Sequence, residues 1–372
     1  RRLVFHLARP RPDPVSGCDT MRPPNVAMRA MVLEQLGSLL ENPRPLIARD
    51  VPTPNPIAGH VLIRIATCGV CHTELDEIEG RLPPSALPRI PGHQVIGRIA
   101  DVGRDVDRAV IGARVGVAWI YRACGHCRAC TSGQENLCPD FLATGRDADG
   151  GYAEWMTAPA DFVFRLPEIM SDAEAAPFLC AGAIGYRSLE LTRLENGQPL
   201  GLTGFGASAH LVLQMARARY PDSSVSVFAR SESERAFARS LGAEWAGDTA
   251  DRAPTPLAAI IDTTPAWKPV VEALDNLAPG GRLVINAIRK EAGDQAELLR
   301  LSYERHLWRE KEIKTVANVT RADVRACLEL AATIPIRSHI ETYPLEAAND
   351  ALTDLKAGRL RGAKVLTIGS SS

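Results

Sequence analysis

Four cysteines stand in one short run, Cys124-x2-Cys127-x2-Cys130-x7-Cys138, inside ACGHCRACTSGQENLC. Four thiolates this close can complete a tetrahedral shell around one Zn2+, a metal that takes soft sulfur ligands in a closed structural site. The run lies between predicted strands, in a loop too long to order itself cheaply, and metal would supply that order. A second constellation surrounds it. Cys71 in CGVCHTE and His93 in PGHQ lie upstream, and Cys180 in FLCAGAIGY lies downstream. Two sulfurs and one nitrogen leave a fourth position open, as a catalytic zinc requires. A closed zinc set, an open zinc set and a later GFGASA loop in one chain leave few folds and few chemistries.

The chain has 372 residues, too many for one small core, which predicts two domains. Hydrophobic residues make up 45% and charged residues 23%, as in soluble globular proteins. A formal net charge of -1 provides no field to recruit nucleic acid or an anionic membrane. No apolar run approaches the roughly 20 residues needed to span a bilayer. Six of the nine cysteines fall in the two metal sets, which argues for a reducing, cytoplasmic setting. Cys68 forms a C-x2-C pair with Cys71, a spacing open to ligation or redox pairing, yet it ends the apolar strand IRIATC, where a small cysteine packs. Cys18 and Cys327 read as unpaired.

Residues 1–27 are rich in Arg and Pro, lack periodicity and do not begin with Met, and they read as a disordered extension or as sequence upstream of the true start. From Met28 the pattern is short strands split by Pro and Gly: HVLIRIATCG, HQVIGRIADVG, GARVGVAWI, GYAEWMTAP. That spacing predicts an all-β, barrel-like domain over 28–177. SDAEAAPFLCAGAIGYRSLELT then reads as helix, with Ser171 as N-cap. Over 178–318 strands alternate with helices, which predicts a doubly wound parallel sheet. Residues 319–372 return the chain to the first domain. The fold class is α/β in two domains.

GFGASA follows a strand and opens a helix. Gly204 permits the tight turn, Gly206 lets backbone approach a pyrophosphate at the helix N-terminus, and Ala209 allows close helix–strand packing. The next strand ends VFARS. An NAD site usually carries an acidic residue there for the ribose 2′-OH, but this chain has Ala229, then Arg230 and Ser231. Losing the carboxylate removes repulsion against a 2′-phosphate, and Arg offers a planar fork to bind it, so NADP(H) is favoured over NAD(H).

The motifs GVCHTE, PGHQVIGRI, the four-cysteine lobe, LCAGAIGY and GFGASA, in this order, resemble the zinc-dependent alcohol dehydrogenases of the medium-chain dehydrogenase/reductase superfamily. The likeness runs from Met28 to about Ile368. It implies a GroES-like catalytic β-barrel domain and a Rossmann coenzyme domain, with the active site between them. It implies two Zn2+ per chain: Cys71, His93 and Cys180 on the catalytic zinc, and Cys124, Cys127, Cys130 and Cys138 on the structural one. His72 matches a position that contacts the coenzyme pyrophosphate, Thr73 the hydroxyl that passes the substrate proton away, and Glu74 a partner for the second nitrogen of His93. A small alcohol or aldehyde substrate is implied, with no nucleic-acid or membrane partner, and a homodimer or homotetramer.

The sequence departs from the family at three places. Gln94 follows the ligand histidine where the family has Glu. Asp76 stands where the proton relay often ends in histidine, and it could accept the proton. The family's C-terminal Arg on the pyrophosphate is replaced by Ala363, with Arg361 or Lys364 near enough in sequence to compensate. Trp119, with Tyr121 nearby, aligns with the wall of the substrate pocket and would favour primary alcohols. Leu82 stands where some relatives carry an aromatic, leaving room for longer chains. His126 and His210 are given no role. The competing readings are a polyol dehydrogenase of the same superfamily, which commonly has a carboxylate in place of Cys180, a zinc-free quinone or enoyl reductase, and a zinc-ribbon nucleic-acid module, which the sparse basic residues of the lobe oppose.

Overall fold

The structure is a computed structural model and describes residues 27–334, 336, 339–358 and 362–368. The N-terminal extension up to residue 26, Cys18 and Arg361 lie outside the described residues.

Strand β1 (Ala27–Leu33) pairs antiparallel with β2 (Leu46–Pro52). The long β3 (His60–Val70) buries alternating Val61, Ile63 and Ile65 and is bulged twice against β4 (Val95–Val102), which lets it curl. Beyond β4 come β5 (Arg114–Val117), the short pair β6 (Ile120–Arg122) and β7 (Leu142–Ala143), then β8 (Trp155–Pro159) and β9 (Val163–Arg165).

The second sheet is parallel, in the order β12 (Trp245–Gly247), β11 (Val225–Phe228), β10 (Leu200–Thr203), β13 (Leu257–Asp262), β14 (Leu277–Ile285), β15 (Glu312–Thr315). Its central strands are buried throughout, as expected when helices cover both faces. Finally β16 (Ile340–Pro344) and β17 (Ala363–Thr367) join the first sheet, completing the path β16-β17-β3-β4-β5-β9, with β8 on β3. Among the described residues no helix is long and apolar enough to cross a membrane.

The helices place the chemistry. Helix α1 (His72–Ile78) leaves the end of β3. Between α1 and the parallel sheet run the one-turn α2 (Arg128–Thr131) in the cysteine lobe, α3 (Asp172–Ala175), and α4 (Ala181–Thr192). The single helix expected over SDAEAAPFLCAGAIGYRSLELT is broken. Ser171 caps α3 as predicted, with Glu174 closing a capping box, but a 3-10 turn carrying Pro177 follows, and Cys180 sits outside helical geometry at φ -131°, ψ -80°. The break frees the Cys180 side chain from a helix face. Then α5 (Ala209–Arg219) follows the glycine turn, α6 (Glu232–Ser240) follows β11, α7 (Lys268–Asn276) precedes β14, and α8 (Arg321–Thr333) and α9 (Ala348–Lys356) close the chain.

Candidate active site

Cys71 is both the N-cap of α1 and a member of the open set. Its Sγ accepts the Thr73 N–H at 3.4 Å, while Glu74 reaches back to the Cys71 N–H at 2.8 Å. The other oxygen of Glu74 lies 2.5 Å from His93 Nδ1, with both side chains buried. His93 Nε2 is thereby turned toward Cys71 Sγ, 3.7 Å away. Burial opposes a charge on His93, but Glu74 and Cys71 outweigh it and raise its pKa. The ligand atoms of Cys71, His93 and Cys180 all lie within 4.8 Å of one another. Sulfur, sulfur and an imidazole nitrogen, converging from three separate segments, fit one Zn2+ with a place left for substrate.

The four-cysteine lobe folds as the spacing predicts. Its sulfurs also lie within 4.8 Å of one another. Backbone N–H groups point at them: Cys124 to Cys138 Sγ and Cys127 to Cys124 Sγ at 3.4 Å, Cys130 to Cys127 Sγ at 3.5 Å. The His126 and Cys127 N–H groups draw the Cys124 thiol down to about 6. Burial, with the crowding of its neighbours, pushes Cys130 up to about 12. Four thiols this close cannot all ionise beside one another unless a cation joins them, so the donor set fits zinc. Cys68, by contrast, is fully buried, and burial raises its thiol, consistent with packing.

At the other lobe, Gly204 turns the chain at φ +77°, where a Cβ would meet Thr263 Oγ1 at 2.9 Å. Gly206 has open space where a Cβ would stand, so backbone there can meet a ligand directly. Ala209 is buried beneath the turn, and His210, behind it, lends Nδ1 to the Gly206 carbonyl at 3.1 Å. After β11, Ala229 is buried and Arg230 exposed, and no side chain among the described residues holds the Arg230 guanidinium. Ser231 caps α6, accepting the Glu234 N–H at 3.2 Å and donating to its carboxylate at 2.8 Å. Arg235 braces the turn by donating to the Ala229 carbonyl at 2.7 Å.

Thr73 is buried next to Cys71, and His72 is exposed. Trp119 packs against Phe141, ring centroids 5.4 Å apart. Tyr121 does not join it: Tyr121 lines a separate hollow of about 320 Å3 with Met28, Arg89 and Trp155. Leu82 follows α1 in a turn, its N–H on the Asp76 carbonyl at 2.9 Å. The Asp76 carboxylate is taken by two guanidiniums, Arg81 at 2.5 Å and Arg289 at 2.9 Å. Gln94 is buried with its amide over the bare α-carbon of Gly69, a close approach that only glycine permits. Lys364 cannot replace the missing arginine, because its buried ammonium donates to Glu341 at 2.6 Å and the Tyr343 hydroxyl at 2.7 Å.

Residues 57–168 match the alcohol dehydrogenase GroES-like domain family. Along 346 residues, 92% of this chain and 97% of the relative, the sequence is 43% identical to the Mycobacterium tuberculosis protein named "Probable alcohol dehydrogenase AdhA". The chain belongs to the alcohol dehydrogenases of the medium-chain dehydrogenase/reductase superfamily. An alcohol dehydrogenase of Geobacillus stearothermophilus is 34% identical over 350 residues, 92% of this chain and 100% of that one. The solved structure of a cinnamyl alcohol dehydrogenase from Sorghum bicolor is similar at TM-score 0.79 and 26% identity, over 92% of this chain and 97% of that chain.

Two features of this alcohol dehydrogenase escape sequence reasoning. Arg289 reaches Asp76 from 213 residues away, and no local pattern announces it. Glu77 is buried on α1, where burial and then the charge of Glu74 raise its carboxyl to about 8; Trp119 lies beside it without closing a hydrogen bond. An acidic residue in a short helix reads as solvated unless its neighbours are known.

Proposed function

We propose that this NAD(P)-dependent alcohol dehydrogenase interconverts a primary alcohol, aliphatic or aromatic, and its aldehyde, with NADP(H) favoured over NAD(H) and two Zn2+ per chain. The observation that carries the reading is the convergence of Cys71, His93 and Cys180, with the buried Thr73 next in the chain and its N–H on Cys71 Sγ. Bound zinc supplies a Lewis acid to the substrate oxygen, and bound coenzyme supplies the hydride acceptor or donor. Glu74 fixes the ring of His93 and anchors the Cys71 backbone, so the ligands are held before substrate arrives. The Thr73 hydroxyl would relay the alcohol's proton outward, accepting it as it gives up its own to solvent, and the reverse relay would serve aldehyde reduction. His72 and the Gly204–Gly206 turn bind the pyrophosphate. Trp119 trims the pocket toward primary alcohols, and Leu82 leaves room along it.

The division into a catalytic domain (28–177 and 319–372) and a coenzyme domain (178–318) belongs to this reading, as does a reducing cytoplasmic location for thiolate-held metals. So does a homodimer or homotetramer. The edge strand β15 is exposed along its whole length, with Trp308 and Ile313 exposed beside and on it, a surface suited to a second copy. The test is the initial rate of zinc-loaded protein with NADPH and then NADH against short aliphatic aldehydes and benzaldehyde. Faster turnover with NADPH is expected. Faster turnover with NADH overturns the coenzyme preference, and silence with both overturns the substrate class.

A further inference from the structure

The loop after β14 joins the two lobes through adjacent residues that face opposite ways. Lys290 roots it in the parallel sheet: its ammonium, mostly buried, pairs with the fully buried Asp262 and donates to the Thr264 carbonyl at 2.7 Å and the Ala266 carbonyl at 2.9 Å. The Asn286 N–H on the Asp262 carbonyl at 2.7 Å and the Glu291 N–H on the Pro265 carbonyl at 2.7 Å add to the root. Thr263 and Thr264, in the same rooted segment, crowd Gly204, so this root also abuts the phosphate turn. Arg289 points the other way, and its Nε meets Asp76 Oδ1 at 2.9 Å on α1, the helix that carries His72 and Thr73.

We propose that Asp76 and Arg289 form a latch across the coenzyme cleft, so that they are positioning residues for the bound coenzyme and Asp76 is not the end of a proton relay. Both guanidinium nitrogens that reach the carboxylate bind the same atom, Oδ1: Arg81 from the same lobe and Arg289 from the other. The Asp76 side chain is 4% exposed, whereas those of Arg289 and Arg81 are 33% and 34% exposed. The acidic partner is therefore fixed in α1 while the arginine on the loop can swing away, and opening the cleft costs one partly desolvated ion pair. Because the loop is rooted beside the glycine turn, that motion separates α1 from the turn, the two walls between which coenzyme must pass. A latch so placed acts on coenzyme release, a step that often limits turnover in enzymes whose lobes close.

The inference goes beyond the substrate and coenzyme assignments above and needs only that a nicotinamide coenzyme bind in the cleft. The experiment is stopped-flow fluorescence of coenzyme dissociation from the zinc-loaded full chain, run with NADPH and NADH separately, so that a mistaken coenzyme preference leaves the latch measurable with the other. Wild type is compared with R289Q, R289K, D76N and the double variant D76N/R289Q. The latch predicts dissociation about two- to tenfold faster in R289Q and in D76N, partial recovery in R289K, and a double variant no faster than the faster single. The single-turnover hydride step of R289Q keeps the wild-type pH profile. Unchanged dissociation in both single variants overturns the proposal, as do additive effects. A pH profile of the hydride step altered by D76N but not by R289Q also overturns it, because Asp76 then handles the proton.

Discussion

Glu74 Oε1 lies 2.5 Å from His93 Nδ1, and the same carboxylate holds the Cys71 backbone N–H at 2.8 Å. One side chain thus orients the imidazole of the open set and caps the helix that begins at one of its sulfurs. Groups that orient ligands from behind typically contribute tenfold to a hundredfold in metal affinity. E74Q should therefore lower zinc affinity at the open set by about that factor. Chelator competition reads this directly, and the four-cysteine lobe should retain its metal as an internal control.

Arg230 is exposed with no side chain holding it among the described residues, whereas Ser231 is committed to capping α6. The 2′-phosphate reading therefore rests on Arg230. R230A should lower kcat/KM for NADPH roughly tenfold to a hundredfold, the scale of one charge-assisted contact, and leave NADH within about twofold. S231A should cost stability through the lost cap more than coenzyme selectivity.

Trp119 packs on Phe141, while Tyr121 faces another hollow. W119A should raise the kcat/KM of a bulky secondary alcohol relative to ethanol by about tenfold or more, because shape selection in an apolar pocket carries about 1–3 kcal/mol. Y121F should leave that ratio unchanged.

Glu79 closes α1 and ties it to two distant segments, accepting the Leu39 N–H at 2.9 Å and pairing with Lys356 of α9 and with Arg81. Burial would raise its carboxyl, but the Lys356 and Arg81 contacts and the Leu39 N–H hold it down to about 2, against an ordinary 4.5. The folded form therefore favours the ionised carboxylate more than the unfolded chain does. That contribution is complete above about pH 4.5, falls as the pH drops toward 2, and is absent below it. In urea titrations E79Q should be less stable than wild type by about 1–3 kcal/mol at pH 7, with the gap closing below pH 4.

The homodimer or homotetramer reading rests on the edge strand β15 with its exposed Ile313, and on the exposed Trp308 that precedes it. I313K should shift sedimentation toward monomer while zinc content stays at the wild-type value.

The two clusters were legible because ligation demands particular residue types at short spacings, and the sulfurs of Cys124, Cys127, Cys130 and Cys138 come together from a single loop. The glycine turn was legible because Gly204 takes a positive φ in a crowded spot that only glycine suits, within a strand–turn–helix pattern. What was not legible is non-local. The helix expected around Cys180 is interrupted at the turn carrying Pro177, a local breaker, but that the interruption brings the sulfur together with His93 and Cys71 is non-local. Lys364 looked available to the coenzyme until Glu341 and Tyr343, on the adjacent strand, were seen to hold it. Asp76 reads as a relay residue by position, and its contact with Arg289, 213 residues away, has no local signal.

The most direct measurement is zinc content together with benzaldehyde reduction for wild type and C71S. Two zinc per chain are expected in wild type, one for each cluster. C71S should keep one and lose activity roughly a thousandfold or more, because the Lewis acid at the reacting oxygen is lost. A C71S protein with both metals and near-normal turnover would contradict the placement of the chemistry at Cys71, His93 and Cys180.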